Sequence, residues 1–134
     1  MIKDIPKYVV TDIALAVIKE EDELFNPVWN VYLINLKEDE IQSVIVSSKG
    51  YGTYKGEEVK TSVLRHFVED LPGLSYAKVE PILDTLFGLT NEYWLSYYFQ
   101  GGMYDKKYIF LPESIKEENF INVPLINKRG VMIK

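Results

Sequence analysis

Residues 28–36, VWNVYLINL, and residues 41–48, IQSVIVSS, are two apolar runs separated by the charged spacer 37–40, KEDE. Each run has the length of a β-strand and is rich in β-branched and aromatic residues, and the charged spacer is typical of a short solvated turn. Both faces of the first run are apolar, which predicts a strand in the interior of a sheet. The pattern indicates a domain built mainly from β-strands.

Similar strand-like units recur along the rest of the chain. Residues 9–19 alternate in hydrophobicity, and residues 76–84 contain Pro81, which favours an edge strand. Residues 93–99 alternate again, and a glycine turn leads into a return strand over 104–111. About seven or eight short strands are therefore predicted.

One segment departs from the strand pattern. Apolar residues within 62–71 recur at helical spacing, which predicts a helix that ends at the following Pro-Gly pair. The residues expected to pack this helix on the sheet are Leu64, Phe67 and Val68. Ser114 and Glu117 have the spacing of a capping box, which predicts a short helical turn near 115–119.

Short strands with regular turn signals and one helix predict a β-sandwich-like fold, in which the helix covers one end or edge. A strongly bent single sheet over the helix is the alternative. The length of 134 residues predicts a single globular domain over 1–134. A chain of this size buries roughly two-thirds of its unfolded surface and needs no disulfide to be stable.

Composition bounds the function classes. The net charge of −5, without a stripe of lysine or arginine, argues against nucleic-acid binding. No apolar stretch approaches the roughly 20 residues of a membrane span, and residues 1–6 lack the pattern of a signal peptide. The chain has no cysteine, which suits a reducing cytoplasm. We therefore expect a cytoplasmic protein that contacts neither nucleic acid nor membrane.

His66 is the only histidine and the only candidate for a general base that titrates near neutral pH. Ser62 and Asp70 lie four residues on either side of it, so the three resemble a Ser-His-Asp set on one helix. We reject that assignment, because a catalytic serine needs a sharply turned backbone and an oxyanion hole beside it. With one histidine and no cysteine, a transition-metal site is not expected, and we predict no catalytic residue, metal or cofactor.

The aromatic content is high, with ten tyrosines and two tryptophans. The predicted hairpin 93–111 carries four rings that we expect to share one face and to form a ligand or partner surface: Trp94, Tyr98, Tyr104 and Tyr108. Alternation assigns Leu95, Tyr97 and Phe99 to the core and leaves Trp94 and Tyr98 partly exposed. The simpler interpretation is that the rings fill a small core, and the sequence leaves both open.

Four strings resemble a group of small uncharacterised bacterial proteins of Bacteroidetes type: VYLINLK at 31–37, VSSKGYG at 46–52, LRHF at 64–67 and MYDKKY at 103–108. The resemblance implies a bacterial, cytoplasmic, stand-alone domain. It carries no established activity, so it assigns no functional residue.

Three functions remain under consideration. The first is a non-enzymatic interaction or accessory module that binds a protein partner or a second copy of itself. The second is a small-molecule or saccharide binder that uses a tyrosine-rich face. The third is an unusual hydrolase that uses His66 with acidic partners.

Overall fold

The computed structural model describes residues 8–134, which form ten β-strands in two antiparallel sheets. The expectation about a signal peptide concerns residues outside this range. The strands are β1 (Ile13–Glu21), β2 (Pro27–Asn35), β3 (Ile41–Tyr54), β4 (Glu57–Lys60), β5 (Leu64–Leu71), β6 (Ser75–Pro81), β7 (Thr90–Phe99), β8 (Gly102–Phe110), β9 (Ile121–Val123) and β10 (Lys128–Ile133).

The first sheet has the order β6-β2-β1-β10-β9, and the second has the order β4-β3-β7-β8. Strand β5 also pairs with β3, alongside residues Ile41 to Ser48, while β4 pairs with the later residues Tyr51 to Tyr54. Strand β2 lies between β1 and β6, as its two apolar faces predicted. The charged turn after β2 carries the chain from the first sheet to the second.

The two sheets pack face to face around one core, and the predicted sandwich-like fold is confirmed. Alternate residues of each strand point inward, as the period of two requires. The first sheet contributes Ile13, Leu15, Val17, Val31 and Leu33, and the second contributes Val44, Val46, Tyr93, Leu95, Tyr97, Tyr108 and Phe110.

The predicted helix over 62–71 is wrong, because this segment forms strand β5. Its pairing with β3 passes from Ile45↔Phe67 to Val44↔Glu69, so Val68 is an extra residue in a β-bulge. The bulge lets Val68 and Leu71, three residues apart, both reach the core, and this spacing imitates a helix. Of the three residues expected to pack on the sheet, only Val68 packs against the core, whereas Phe67 is 65% exposed on the outer side of the sheet and Leu64 is 51% exposed.

Helical structure in residues 8–134 is confined to two 3₁₀ turns, Asp84–Leu86 and Glu117–Asn119. The second lies where the short helical turn was predicted. Within the same residues, no helix has the length and apolar composition that crossing a bilayer requires.

The middle of the outer face of the first sheet is covered by the protein's own chain, whereas Tyr76 and Ile121 on its two edge strands remain 45% and 43% exposed. The small side chains Ala14 and Ala16 lie on this face and are fully buried. The residues that pack over them come from neighbouring strands and from the turn after β9: Tyr32, Met132, Val123, Leu125 and Ile126. Strand β1 is therefore packed on both sides.

Glu20 lies at the end of this covered face and joins three strands. Its carboxylate accepts hydrogen bonds from Asn30 Nδ2 at 2.9 Å and from the Tyr32 hydroxyl at 2.6 Å, and it pairs with Lys128. Burial acts to raise the pKa of Glu20, but the hydrogen bonds from Lys128, Tyr32 and Asn30 outweigh it, so the pKa is lowered.

A lowered pKa in the folded state makes the Glu20 carboxylate stabilising above its unfolded pKa. That contribution is lost as the pH falls from about the ordinary value of 4.5 through the lowered value. We expect Glu20→Gln to have a lower free energy of unfolding than the parent at pH 7. The difference in free energy between the two proteins should become smaller as the pH is lowered. Urea unfolding at a series of pH values measures this, and parallel curves for the two proteins would contradict it.

Candidate functional site

The outer face of the second sheet is open to solvent and carries large apolar side chains. Trp94 pairs with Ser47 on one side and with Lys107 on the other, and its indole is 45% exposed. Tyr98, four residues further along β7, lies opposite Met103 and is 48% exposed. Both rings therefore stand on the outer side of the sheet, as the alternation predicted.

The other two residues of the predicted surface lie on the opposite side, so the expectation that four rings share one face is wrong. Tyr104 pairs with the inward residue Tyr97, and Tyr108 pairs with the inward residue Tyr93. The cause is the length of the turn between β7 and β8, which has two residues between the paired residues Phe99 and Gly102. With a turn of this length, every cross-strand pair joins an even-numbered residue to an odd-numbered one. Paired residues point to the same side, so the even-numbered rings of β8 face away from those of β7.

Both inward rings have structural contacts. Tyr104 stacks on Tyr97 with ring centroids 5.3 Å apart and planes nearly parallel. The buried Tyr108 donates its hydroxyl to the carbonyl oxygen of Ile13 at 2.6 Å, which links the second sheet to the first. Phe99, expected in the core, is partly buried against it.

Three further side chains extend the open face around Trp94 and Tyr98. Phe67 pairs with Ile45, which pairs with Ser96, so it stands on the outer side. Met103 and Ile109 lie on β8 on the same side. We call the set Phe67, Trp94, Tyr98, Met103 and Ile109 the aromatic face; all five are exposed.

A groove adjoins the Trp94 end of the aromatic face. It arises where the connection 61–63 crosses from β4 to β5, since these two strands pair with different stretches of β3. The groove has a volume of about 590 Å³. Its lining residues include Tyr51, Thr53, Glu58, Thr61, Val63 and Glu92, and an adjoining hollow of about 310 Å³ reaches Trp94.

Glu92 is the buried carboxylate of this groove, with only 7% exposure. It pairs with Lys49 at 3.5 Å and with Lys107 at 3.8 Å, and the Tyr51 hydroxyl donates to it at 3.2 Å. The Lys107 ammonium also lies 4.9 Å from the centre of the Trp94 indole. Glu92 thus holds a cation against the aromatic face.

A second polar cluster lies between the two sheets and centres on Glu80. The pairing of β6 with β2 passes from Val31↔Glu80 to Tyr32↔Lys78, which leaves Val79 as a bulge. The bulge turns Glu80 to the side of the fully buried Val31, that is, towards the other sheet.

Three side chains of the second sheet meet the Glu80 carboxylate. The Ser48 hydroxyl donates to Oε1 at 2.7 Å, and His66 Nε2 lies 2.6 Å from the same oxygen. The Tyr93 hydroxyl donates to Oε2 at 3.2 Å. Burial, followed by the nearby Glu80 charge, raises the pKa of Tyr93 and keeps its hydroxyl a donor.

This arrangement differs from the Ser-His-Asp set considered from the sequence. Asp70 accepts a hydrogen bond from the Ser43 backbone at 3.0 Å, and His66 contacts Glu80 instead. Ser48 and His66 converge on one carboxylate oxygen, so the serine hydroxyl is turned towards the acid rather than towards the imidazole. The geometry therefore lacks the base-activated nucleophile that acyl transfer requires.

Glu80 is the residue that the sequence did not single out. Its only local signal is Pro81, which marks an edge strand, and edge strands are where bulges concentrate.

Within residues 8–134, no three His, Asp or Glu side chains are grouped closely enough to hold a metal ion. Comparison of the chain with protein-family models, with curated proteins and with solved structures gives no match.

Proposed function

We propose that this domain is a non-enzymatic binding module whose aromatic face docks on a partner protein. One observation carries the proposal: five large apolar side chains are exposed on the outer face of the second sheet, whereas the middle of the outer face of the first sheet is covered by the chain's own residues. Exposed apolar side chains scattered singly are ordinary, whereas several grouped on one face of a sheet indicate an interaction site.

The chemistry of the aromatic face suits a protein partner. Tryptophan and tyrosine supply large contact area with few rotatable bonds, and they dominate the binding energy of protein interfaces. Lys107 over Trp94 and the ion pair of Lys107 with Glu92 orient the indole before the partner arrives. A preordered ring loses less side-chain entropy on binding.

The charge of the protein favours a protein partner over a nucleic acid. The net charge of −5 repels phosphates, and the two lysines nearest Trp94, Lys49 and Lys107, are already engaged with Glu92. The proposal extends to the cell compartment: a cysteine-free chain that resembles small bacterial proteins of Bacteroidetes type would meet its partner in a bacterial cytoplasm.

Replacing both Trp94 and Tyr98 with serine tests the proposal. Because each ring is about half exposed, we expect the free energy of unfolding to change by about 1 kcal/mol or less. Affinity for the partner should fall at least about thirtyfold, the loss typical of an interface hot spot. Proteins retained from a host lysate by each immobilised variant are identified by mass spectrometry, and direct binding of the purified candidate is then measured by calorimetry.

The matched control is the double variant Leu24→Ser and Phe25→Ser, which removes two exposed apolar side chains from the β1–β2 loop. A partner retained by the parent and by this control but lost by the Trp94 and Tyr98 variant supports the proposal. The same proteins bound equally by all three would refute it. Sedimentation of the parent and both variants decides whether the partner is a second copy.

A saccharide ligand is the second candidate, and the groove beside Trp94 favours it. Its volume lies within the range of small-molecule sites, and it combines Tyr51, Thr53 and the Glu92 carboxylate with the nearby indole. Titration with oligosaccharides, followed through the Trp94 indole resonance in nuclear magnetic resonance spectra, tests this candidate. Saturable shifts that Glu92→Gln abolishes would favour the saccharide over the protein partner.

A further inference from the structure

We propose that the cleft beside Glu80 is a separate site that binds a primary alkylammonium group. The cleft opens between the sheets with a volume of about 140 Å³. It lies on the inner side of the second sheet, away from the aromatic face. Its lining includes the polar residues Ser48, Lys49, Glu80, Asn91 and Tyr93 and the apolar residues Leu64, Ile82 and Leu86.

The polar lining of the cleft is rich in hydrogen-bond acceptors. The Glu80 carboxylate is 11% exposed and supplies negative charge at the wall. Asn91 is buried, and its amide nitrogen is already committed to the carbonyls of Leu86 and Leu89. Its Oδ1 therefore remains as an acceptor, and it lies 3.3 Å from the position of a Cβ built on Gly50.

The charges around the cleft make a cation the complementary ligand. Lys49 also lines the cleft, but its ammonium pairs with Glu92 at 3.5 Å on the outer side of the sheet. His66 bonds to Oε1 of Glu80, whereas Oε2 accepts, within residues 8–134, only the longer bond from Tyr93. An ammonium has three donors and no acceptor, which matches Oε2 and the Asn91 oxygen.

The apolar walls of the cleft indicate which group is attached to the ammonium. Leu64, Ile82 and Leu86 face the same space, so a short alkyl chain attached to the ammonium would be buried among them. The volume is below that of sites for drug-sized molecules, which restricts the ligand to a small free amine or to the end of a lysine side chain.

The probe is n-butylammonium chloride, and n-butanol is the uncharged counterpart of the same length. Titrations followed by ¹H–¹⁵N spectra should show saturable shifts at the amides of the cleft with the ammonium and not with the alcohol. N-acetyl-lysine methylamide, titrated in parallel, separates the two sources: tighter binding than butylammonium assigns the cleft to a lysine side chain, and weaker binding assigns it to a free amine.

Glu80→Gln keeps the size of the side chain and removes its charge, so we expect at least a tenfold loss of affinity for butylammonium. Glu20→Gln, which neutralises a carboxylate of equal exposure on the outer face of the first sheet, should bind as the parent does. The proposal is overturned by equal responses to butylammonium and butanol, or by Glu80→Gln binding as tightly as the parent. The butanol comparison uses the unmodified protein, so it decides the question even if Glu80→Gln does not fold.

Discussion

Replacing Leu95 with alanine is expected to lower the free energy of unfolding by about 2–5 kcal/mol. Leu95 lies in the middle of β7, is fully buried, and belongs to the core cluster that joins the two sheets. Truncation removes its burial and leaves a cavity that tightly packed neighbours fill only in part. Urea unfolding at pH 7, followed by circular dichroism, measures the loss.

Phe67→Ala is the matched comparison, because it deletes a larger side chain from the exposed side of β5. The expected change is about 0.5 kcal/mol or less. The two variants together distinguish the sandwich from a fold in which residues 62–71 form a helix packed on the sheet through Phe67. A loss of several kcal/mol for Phe67→Ala, with a small loss for Leu95→Ala, would show that the inner and outer faces are assigned the wrong way round.

The sequence was sufficient where a strand is regular. Alternation along β7 correctly separated Leu95 and Tyr97 from Trp94 and Tyr98, and the two apolar faces of β2 correctly predicted a central strand. These inferences depend only on the period of two and on burial, which are local properties of a strand.

The errors occurred where pairing with another strand changes the local period. In β5 the extra residue Val68 produces a spacing of apolar residues that matches a helix. The segment forms a strand instead, because it pairs with an edge of β3 that would otherwise be left without hydrogen-bond partners. In β8 the length of the turn fixes the register and sends Tyr104 and Tyr108 inward. A one-residue difference in either place is enough to move a side chain to the opposite face.

The candidate sites also divide into residues whose position follows from local alternation and residues whose position depends on pairing with other strands. Trp94 and Tyr98 were found because their exposure follows from alternation. The cluster around Glu80 was missed because it depends on the bulge at Val79 and on the packing of two sheets that are distant in sequence. The Glu80 cluster can be recognised only when Ser48 and His66 are known to lie next to Glu80 in space.

Two buried tyrosines of the same hairpin should respond to loss of the hydroxyl in opposite directions. Tyr108 donates its hydroxyl to the Ile13 carbonyl, whereas the buried hydroxyl of Tyr97 has no hydrogen-bond partner among the described residues. Burial, with the neighbouring Tyr104, raises the pKa of Tyr97 to about 12, so the group stays neutral at physiological pH. It therefore resides in the core as an uncharged but unsatisfied polar group.

Tyr108→Phe should lower the free energy of unfolding by about 1–3 kcal/mol, because it removes a buried hydrogen bond and leaves a carbonyl without that donor. Tyr97→Phe should raise the free energy of unfolding by up to about 1–3 kcal/mol. The reason is that an unpartnered hydroxyl loses its hydration on folding without forming a hydrogen bond in the core. Both variants leave the same small void, so the void cancels in the difference between them. Paired urea titrations at pH 7 measure that difference, and equal destabilisation by the two substitutions would mean that the Tyr97 hydroxyl has a partner in solution.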